Sequence, residues 1–302
     1  MSPSATPPTT PARLRELLAR VPETGPVILP GAYDGLSARL VEAAGFDGVY
    51  MTGFGSTATL LGKPDVGLLS GSEMADNARR LASAVGIPLV ADADTGYGNA
   101  VNVARTVAEY ERAGVAGIQL EDQVSPKKCG HMAGKAIVPA AEMVGKLHAA
   151  VDARRDPDLV LIARTDAIAV DGVDAAIERA RAYLAAGADA LFVEAPTTEA
   201  DVERIAGELA GEAPLVFNWV EGGRTPPIDV GTIGKLGFAM VLFPIGALLA
   251  ATAGMRNYLA ELSARGTVTK TELPTFEEFT DLVGLPEIRE QERRYAAGDQ
   301  AG

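Results

Sequence analysis

The chain repeats one local pattern. A stretch of helical character closes on a glycine, and a short apolar run follows within a few residues. The pattern occurs as Ala44-Gly45 before Gly48-Val49-Tyr50-Met51 and as Ala113-Gly114 before Gly117-Ile118-Gln119-Leu120. It recurs as Ala186-Gly187 before Ala190–Val193 and as Leu236-Gly237 before Ala239–Phe243. Glycine suits the left-handed position that ends a helix. Short apolar runs without alternation suit strands buried on both faces, as in a parallel sheet. Further runs of this kind lie at Pro26–Leu29, Ile87–Ala91, Leu159–Ala163 and Pro214–Phe217. Between the runs lie amphipathic stretches of helical length, such as Ala175–Ala186, with Ala176, Ile177, Ala180 and Tyr183 on one face. About eight strands alternating with helices predict an α/β fold, a (β/α)8 TIM-type barrel. An open, doubly wound sheet is the alternative, weakened because no Gly-x-Gly-x-x-Gly follows the first strand. The expected organisation is a flexible tail and leading helix over 1–24, a barrel over 25–265, and a charged helical arm over 266–302. Helices are expected in the arm at Phe276–Val283 and Glu287–Ala297.

Composition narrows the class of partner. The net charge is −13 and aromatic residues make up 5% of the 302 residues. An acidic surface repels phosphate backbones and anionic membranes, so neither nucleic acid nor membrane is expected as a partner. No uninterrupted apolar run reaches the roughly 18 residues of a membrane span. Cys129 is the sole cysteine, so an intrachain disulfide is impossible and a reducing, cytoplasmic setting is expected.

In barrels of this type the reactive groups sit at the C-terminal ends of the strands, and the polar residues cluster there. The ends read Tyr50-Met51-Thr52-Gly53-Phe54-Gly55-Ser56, Asp92-Ala93-Asp94-Thr95-Gly96-Tyr97-Gly98, Glu121-Asp122-Gln123, Arg164-Thr165-Asp166, Glu194 and Asn218. Any one of these alone reads equally well as a helix cap; six together do not. Asp92 and Asp94, two apart on a strand, point the same way and repel unless a cation lies between them. Hard oxygen ligands suit Mg²⁺ or Mn²⁺, with Glu121 on the next strand able to join. The bland reading is an acid pair hydrogen-bonded to loop amides. The connection Val124–Lys135 carries Cys129, one of the two histidines (His131) and three lysines. Nearby cations lower a thiol pKa, and Gly130 and Gly134 allow movement, as in a lid bearing an acid/base group. The bland alternative is a solvated basic loop with an incidental cysteine. His148, in a helical stretch, reads as structural or surface.

Three motifs stand in order: Asp92–Gly98, Lys127-Lys128-Cys129-Gly130-His131, and Ala163-Arg164-Thr165-Asp166-Ala167. Together they resemble the isocitrate lyase / phosphoenolpyruvate mutase superfamily, over roughly Leu29 to Gly266. The resemblance implies a (β/α)8 barrel with a helix swapped between neighbours, in a homotetramer made of two dimers. It implies Asp92 and Asp94 as Mg²⁺ ligands, with Asp65 and Glu121 as further metal-site carboxylates. It assigns Thr52, Gly53 and Phe54 to the segment whose amides hold a substrate carboxylate, and Arg164 to that carboxylate and the developing oxyanion. Gly130, His131, Glu194 and Asn218 resemble further substrate contacts. Cys129 resembles the acid/base of the lyase branch, and Tyr50 is a candidate for the base that takes a hydroxyl proton. The implied substrate is a small-molecule carboxylate.

The sequence departs from the methylisocitrate lyases of this superfamily, whose loop continues Cys-Gly-His-Arg-Pro-Asn-Lys. Here Met132 replaces that arginine, and a second arginine after the last strand is replaced within Ala247-Leu248-Leu249, with Leu249 nearest. An alkyl group in place of a guanidinium removes a bidentate carboxylate clamp. The element Asn218–Pro226 is similar to the dimethylmalate lyase, oxaloacetate hydrolase and phosphonomutase branches. The expected reaction is therefore Mg²⁺-dependent carbon–carbon cleavage of a 2-hydroxy or 2-oxo dicarboxylate such as a substituted malate, releasing a 2-oxo acid such as pyruvate. The alternatives are a phosphonomutase forming a C–P bond, a methylisocitrate lyase, and a metal-binding member without catalysis.

Overall fold

The structure is a computed structural model that describes residues 9–130 and 132–296. Eight strands form a closed, all-parallel barrel in sequence order. They are β1 Val27–Ala32, β2 Val49–Met51, β3 Leu89–Asp92, β4 Gly117–Glu121, β5 Val160–Thr165, β6 Ala190–Val193, β7 Leu215–Asn218 and β8 Phe238–Phe243. β1 pairs with β8 from Val27↔Met240 to Pro30↔Phe243, which closes the ring. The expected TIM-type barrel is the observed fold. The alternating helices follow suit, among them Ala100–Ala113, Ala140–Ala153 and Val173–Ala185.

The strand side chains sort by parity, because successive residues of a strand point to opposite faces. One set fills the lumen: Leu29, Tyr50, Val90, Ile162, Phe192, Val216, Met240 and Leu242. The other set, including Met51, Leu89, Ala91, Ile118, Leu161 and Leu191, packs beneath the outer helices. Leu14, on the leading helix Thr10–Ala19, joins the lumen cluster and is fully buried. Arg15 ties this helix down by donating to the carbonyls of Pro157, Asp158 and Leu159 and to Asp189.

Four of the eight strands run one or two residues past their expected ends, through polar residues: Asp92, Glu121, Arg164-Thr165 and Asn218. The ladder is a backbone property and continues where the apolar signal stops. That extension matters for the site. Residues two further on keep the lumen parity, so Val90 leads to Asp92, Ile162 to Arg164, Phe192 to Glu194 and Val216 to Asn218. The site is the polar top layer of the barrel core.

The chain divides into two compact units, Met1–Leu248 and Leu249–Gly302. The second unit is helical. It contains most of the helix Gly246–Arg265, then Phe276–Leu282 and Leu285–Tyr295. The expected helix Glu287–Ala297 thus starts two residues earlier, and its last residue lies outside the described residues, as does the start of the expected tail. Among the described residues no helix is long and apolar enough to cross a membrane.

Candidate active site

A cavity of about 280 Å³ opens at the C-terminal ends of the strands. Of the residues singled out from sequence, Tyr50, Thr52, Phe54, Asp65, Asp92, Cys129, Gly130, Arg164, Glu194 and Asn218 line it. Gly53, Asp94 and Glu121 are buried beside these residues but do not form the wall. His131 lies outside the described residues. His148 is exposed on the helix Ala140–Ala153, in line with a surface role.

One side of the cavity is acidic. Asp92 Oδ1 accepts from the Asp94 amide at 3.1 Å and from Gln119 Nε2 at 3.3 Å. Its Oδ2 accepts from the Gly53 amide at 3.3 Å. A β-carbon at Gly53 would run into this carboxylate, so only glycine fits there. Asp94 sits at φ 47°, a left-handed conformation that is costly for a residue with a side chain. From behind, Tyr110 donates its hydroxyl to the Asp92 carbonyl at 3.0 Å, and Lys146 donates to the Thr95 carbonyl at 3.1 Å. Lys127 reaches into the cluster from the loop after β4. Its ammonium is 2.7 Å from Asp65 Oδ2 and 2.7 Å from Asp94 Oδ1. The Asp94 contact is an ion pair without hydrogen-bond alignment, and Asp94 Oδ1 counts as a buried acceptor lacking a hydrogen bond. Burial pushes the Asp94 carboxyl up to about 6, with Asp92 and Asp65 adding to the rise and Lys127 opposing it. Burial likewise raises Glu121 well above the carboxylate range, against the pull of Arg164, and its Oε1 has no hydrogen-bond partner.

The other side is built on Arg164. The parallel register puts Glu121 beside Arg164 and Arg164 beside Phe192. The guanidinium donates through Nε and NH2 to the two oxygens of Asp166, at 2.9 and 3.1 Å. It lies 3.3 Å from Glu121 Oε2, 3.6 Å from Glu194 Oε1, and 5.1 Å from the centre of the Phe192 ring. Asn218 donates to both oxygens of Glu194 at 3.2 Å. Lys135 donates to Asp166 at 2.7 Å and to the Gly130 carbonyl at 2.6 Å. Burial alone would raise Asp166, but Arg164 and Lys135 outweigh it and hold the carboxyl down at about 2. Gly130 packs against this group so closely that a β-carbon would collide with Glu194 and Arg164.

Several expected roles change in detail. The Thr52 amide donates to the Ala32 carbonyl and the Gly53 amide to Asp92, so both are engaged within the protein. Thr52 also caps the helix Gly53–Leu61 through its side chain. Tyr50 is buried, which together with Asp92 pushes its phenol well above the ordinary range. Its hydroxyl donates to Gln119 Oε1 at 3.1 Å, so it keeps its proton and is unsuited to act as a base. The three loop lysines are engaged with oxygens rather than massed around the thiol: Lys127 with Asp65 and Asp94, Lys128 with the Gly134 carbonyl, and Lys135 as above. Leu249 is 44% exposed and belongs to the second unit. The residues after β8 that line the cavity are Pro244 and Ile245.

Four groups that shape the site were not expected: Lys127 as a buried ion, Lys135 and Asp166 as the support of Arg164, and Gln119. Gln119 was legible in principle. It is the polar residue inside an otherwise apolar strand, two before Glu121 and therefore on the same face.

The four carboxylates expected to bind metal do not converge into a ready ligand set. Among the described residues no group of three or more His, Cys, Asp or Glu could hold a metal ion as arranged. The donor chemistry nevertheless fits a divalent cation. Seven buried carboxylates (Asp65, Asp92, Asp94, Glu121, Asp122, Asp166 and Glu194) face four cations with buried side chains, Lys127, Lys135, Lys146 and Arg164. Asp94 Oδ1 and Glu121 Oε1 are buried oxygens without a hydrogen bond, as are Asn218 Oδ1, Glu221 Oε2 and Thr225 Oγ1, and on the Asp94 and Glu121 side the carboxylates outnumber Lys127 and Lys146.

Residues 14–263 match the family model described as phosphoenolpyruvate phosphomutase. The 2,3-dimethylmalate lyase of Eubacterium barkeri is 48% identical over 291 residues, 96% of this chain and 99% of its own length. A solved oxaloacetate acetylhydrolase, in complex with the inhibitor 3,3-difluorooxalacetate, matches with a TM-score of 0.89 at 39% identity, covering 95% of this chain and 97% of that one. A phosphonopyruvate hydrolase solved with oxalate and Mg²⁺ matches with a TM-score of 0.86 at 34% identity, covering 95% and 99%. The chain belongs to the phosphoenolpyruvate phosphomutase family.

Proposed function

We propose that the protein is a Mg²⁺-dependent carbon–carbon lyase acting on a 2-hydroxy or 2-oxo dicarboxylate of substituted-malate type, with release of a 2-oxo acid such as pyruvate. The observation that carries this reading is the shared cavity: Asp65, Asp92, Cys129 and Arg164 line one space whose remaining wall includes Phe54, Met132, Val220, Leu242 and Ile245. The identity to a dimethylmalate lyase supports it, as does the binding of a 2-oxo dicarboxylate analogue by a structural relative.

Asp92 and Asp94, with Asp65 and Glu121 around them, are the residues that would hold Mg²⁺ or Mn²⁺. The metal supplies Lewis-acid stabilisation of negative charge on the substrate oxygens. Arg164, fixed by Asp166, pairs with a substrate carboxylate in a site where water is largely excluded and the charge counts for more. Glu194, oriented by Asn218, positions the same end of the substrate. For a 2-hydroxy acid, cleavage of C2–C3 turns the C2 hydroxyl into a carbonyl as its proton leaves. Tyr50 is poorly suited to take that proton, and the step falls to one of the cavity carboxylates. The electron pair left on C3 takes a proton from the Cys129 thiol. The loop carrying Cys129 keeps bulk water from competing for that proton transfer.

Among the described lining residues the cations are Lys127 and Arg164, both engaged with protein carboxylates, while Met132 and Ile245 are apolar, which disfavours the third carboxylate of 2-methylisocitrate. The family match itself supports a second reading, rearrangement of a phosphonate. One assay panel with Mg²⁺ separates these readings. It follows 2-oxo acid released from alkylmalates and from methylisocitrate, oxalate and acetate from oxaloacetate, and phosphonate rearrangement by phosphorus NMR. Cleavage of a dicarboxylate is expected. Efficient methylisocitrate cleavage would overturn the argument from Met132 and Ile245, and rearrangement without any C–C cleavage would replace the lyase reading.

A homotetramer of helix-swapped dimers is proposed with it. The helices of the second unit bury no side chain within the monomer, and Met255, Leu259 and Phe276 are 58%, 58% and 84% exposed. Apolar area of this extent favours burial against another copy. A monomer by light scattering would refute it.

A further inference from the structure

Lys127 is a buried lysine with no part in the reaction proposed above. Its side chain is 5% exposed, and its ammonium touches both Asp65 and Asp94 at 2.7 Å. It thus sits among the carboxylates to which the metal is assigned. We propose that Lys127 is an internal counter-cation that competes with the divalent metal for Asp94 and is released from it on metal binding.

Three observations carry this. First, the acidic side is short of positive charge, and Lys127 is the cation that most directly relieves it. Second, both cations draw on the same buried carboxylate. A fixed ammonium a few ångströms from a doubly charged ion repels it with little screening. Moving the ammonium away from Asp94 relieves that repulsion. Third, the tether is short. Cys129 donates its amide to the Asp65 carbonyl at 3.2 Å, and Lys128 is clamped to the Gln123 side chain through its amide at 3.0 Å and its carbonyl at 2.8 Å. Gly130 lies flush against Glu194 and Arg164. The Lys127 side chain already lines the cavity, so it leaves Asp94 either by swinging into that space or by drawing residues 127–130 with it.

The inference rests on the metal reading above, and its test keeps the two apart. Mn²⁺ binding to the metal-free full-length protein is measured by electron paramagnetic resonance for wild type, Lys127→Met and Lys127→Gln. Removing the competing cation is expected to tighten Mn²⁺ by about tenfold or more. Unchanged or weaker binding in the variants, with wild type binding normally, overturns the inference and leaves the metal reading standing. Absence of Mn²⁺ binding in every form overturns both. A second measurement needs no substitution. Reductive methylation followed by mass spectrometry compares Lys127 with the exposed Lys63. Lys127 is expected to label slowly in metal-free protein and several-fold faster at saturating Mn²⁺. A rate that Mn²⁺ leaves unchanged also overturns the proposal.

Discussion

The two sides of the barrel mouth are built from the same residue types and solve opposite problems. On the β5 side every charge has its partners. Asp166 receives Arg164 and Lys135, and Asp122 accepts from Thr165, Tyr183, Arg179 and the Asp166 amide at 2.7 to 3.2 Å. On the β3–β4 side Asp94 and Glu121 are buried among other carboxylates, raised in pKa, and left with oxygens that no hydrogen bond satisfies. A buried, saturated ion network holds geometry; a buried, unsaturated one costs stability until something binds. The difference marks the β5 side as the frame around Arg164 and the β3–β4 side as the part to which the proposed metal is assigned. The loop after β4 touches both, through Lys127 on one side and Lys135 on the other, with Cys129 between them.

The largest effect is expected on that bridging loop. Cys129→Ser should lower turnover by about 10³-fold while leaving metal affinity unchanged, measured by steady-state assay and Mn²⁺ titration. Wild-type turnover would remove the bridge from the chemistry. Next, Asp166→Asn should destabilise the metal-free protein by about 3–5 kcal/mol, because it strands buried cations. Asp94→Asn should cost less than about 1 kcal/mol or even stabilise, because it removes a charge that burial already disfavours. Urea unfolding of both variants checks this, and equal losses would erase the contrast between the two sides.

The smallest effect is in the pH dependence, where the two sides differ in sign. Asp166 has its folded pKa depressed to about 2 from 3.8. Its contribution, on the order of 2 kcal/mol, is therefore full above pH 4 and lost as pH falls toward 2. Asp94 has its folded pKa raised to about 6. Its penalty is absent below pH 4, grows as pH rises from about 4 to 6, and is complete above that. Melting temperatures of metal-free wild type should thus approach those of Asp166→Asn in acid, and fall relative to Asp94→Asn as pH rises between about 4 and 6. A parallel course for both variants would mean that the charge shortfall is shared across the mouth.

Much of the site was visible in the sequence because a barrel strand announces its own end. The apolar run stops, and the next residues on the lumen parity (Asp92, Arg164, Glu194, Asn218) line the cavity. The departures came where a residue's environment is set by distant segments. Tyr50 reads as a phenol near carboxylates, yet burial and Asp92 keep it protonated, with its hydroxyl given to Gln119, 69 positions away. The amides of Thr52 and Gly53 read as available, yet they are taken by Ala32 and Asp92. Lys127 and Lys135 read as members of a basic loop, yet each is buried on a carboxylate.

By itself the sequence determined the eight-fold alternation of strand and helix, the strand ends at which polar groups gather, and the motifs that identify the family. These depend on local periodicity and spacing, which a linear chain carries. The tertiary structure decided which charges are paired. Lys127 lies 62 residues from Asp65 and Lys135 lies 31 from Asp166, and only the closure of the barrel brings them together. Burial then turns formally similar carboxylates into opposites, Asp166 held near 2 and Asp94 raised to about 6, because the energy of a charge depends on its surroundings rather than on its place in the chain.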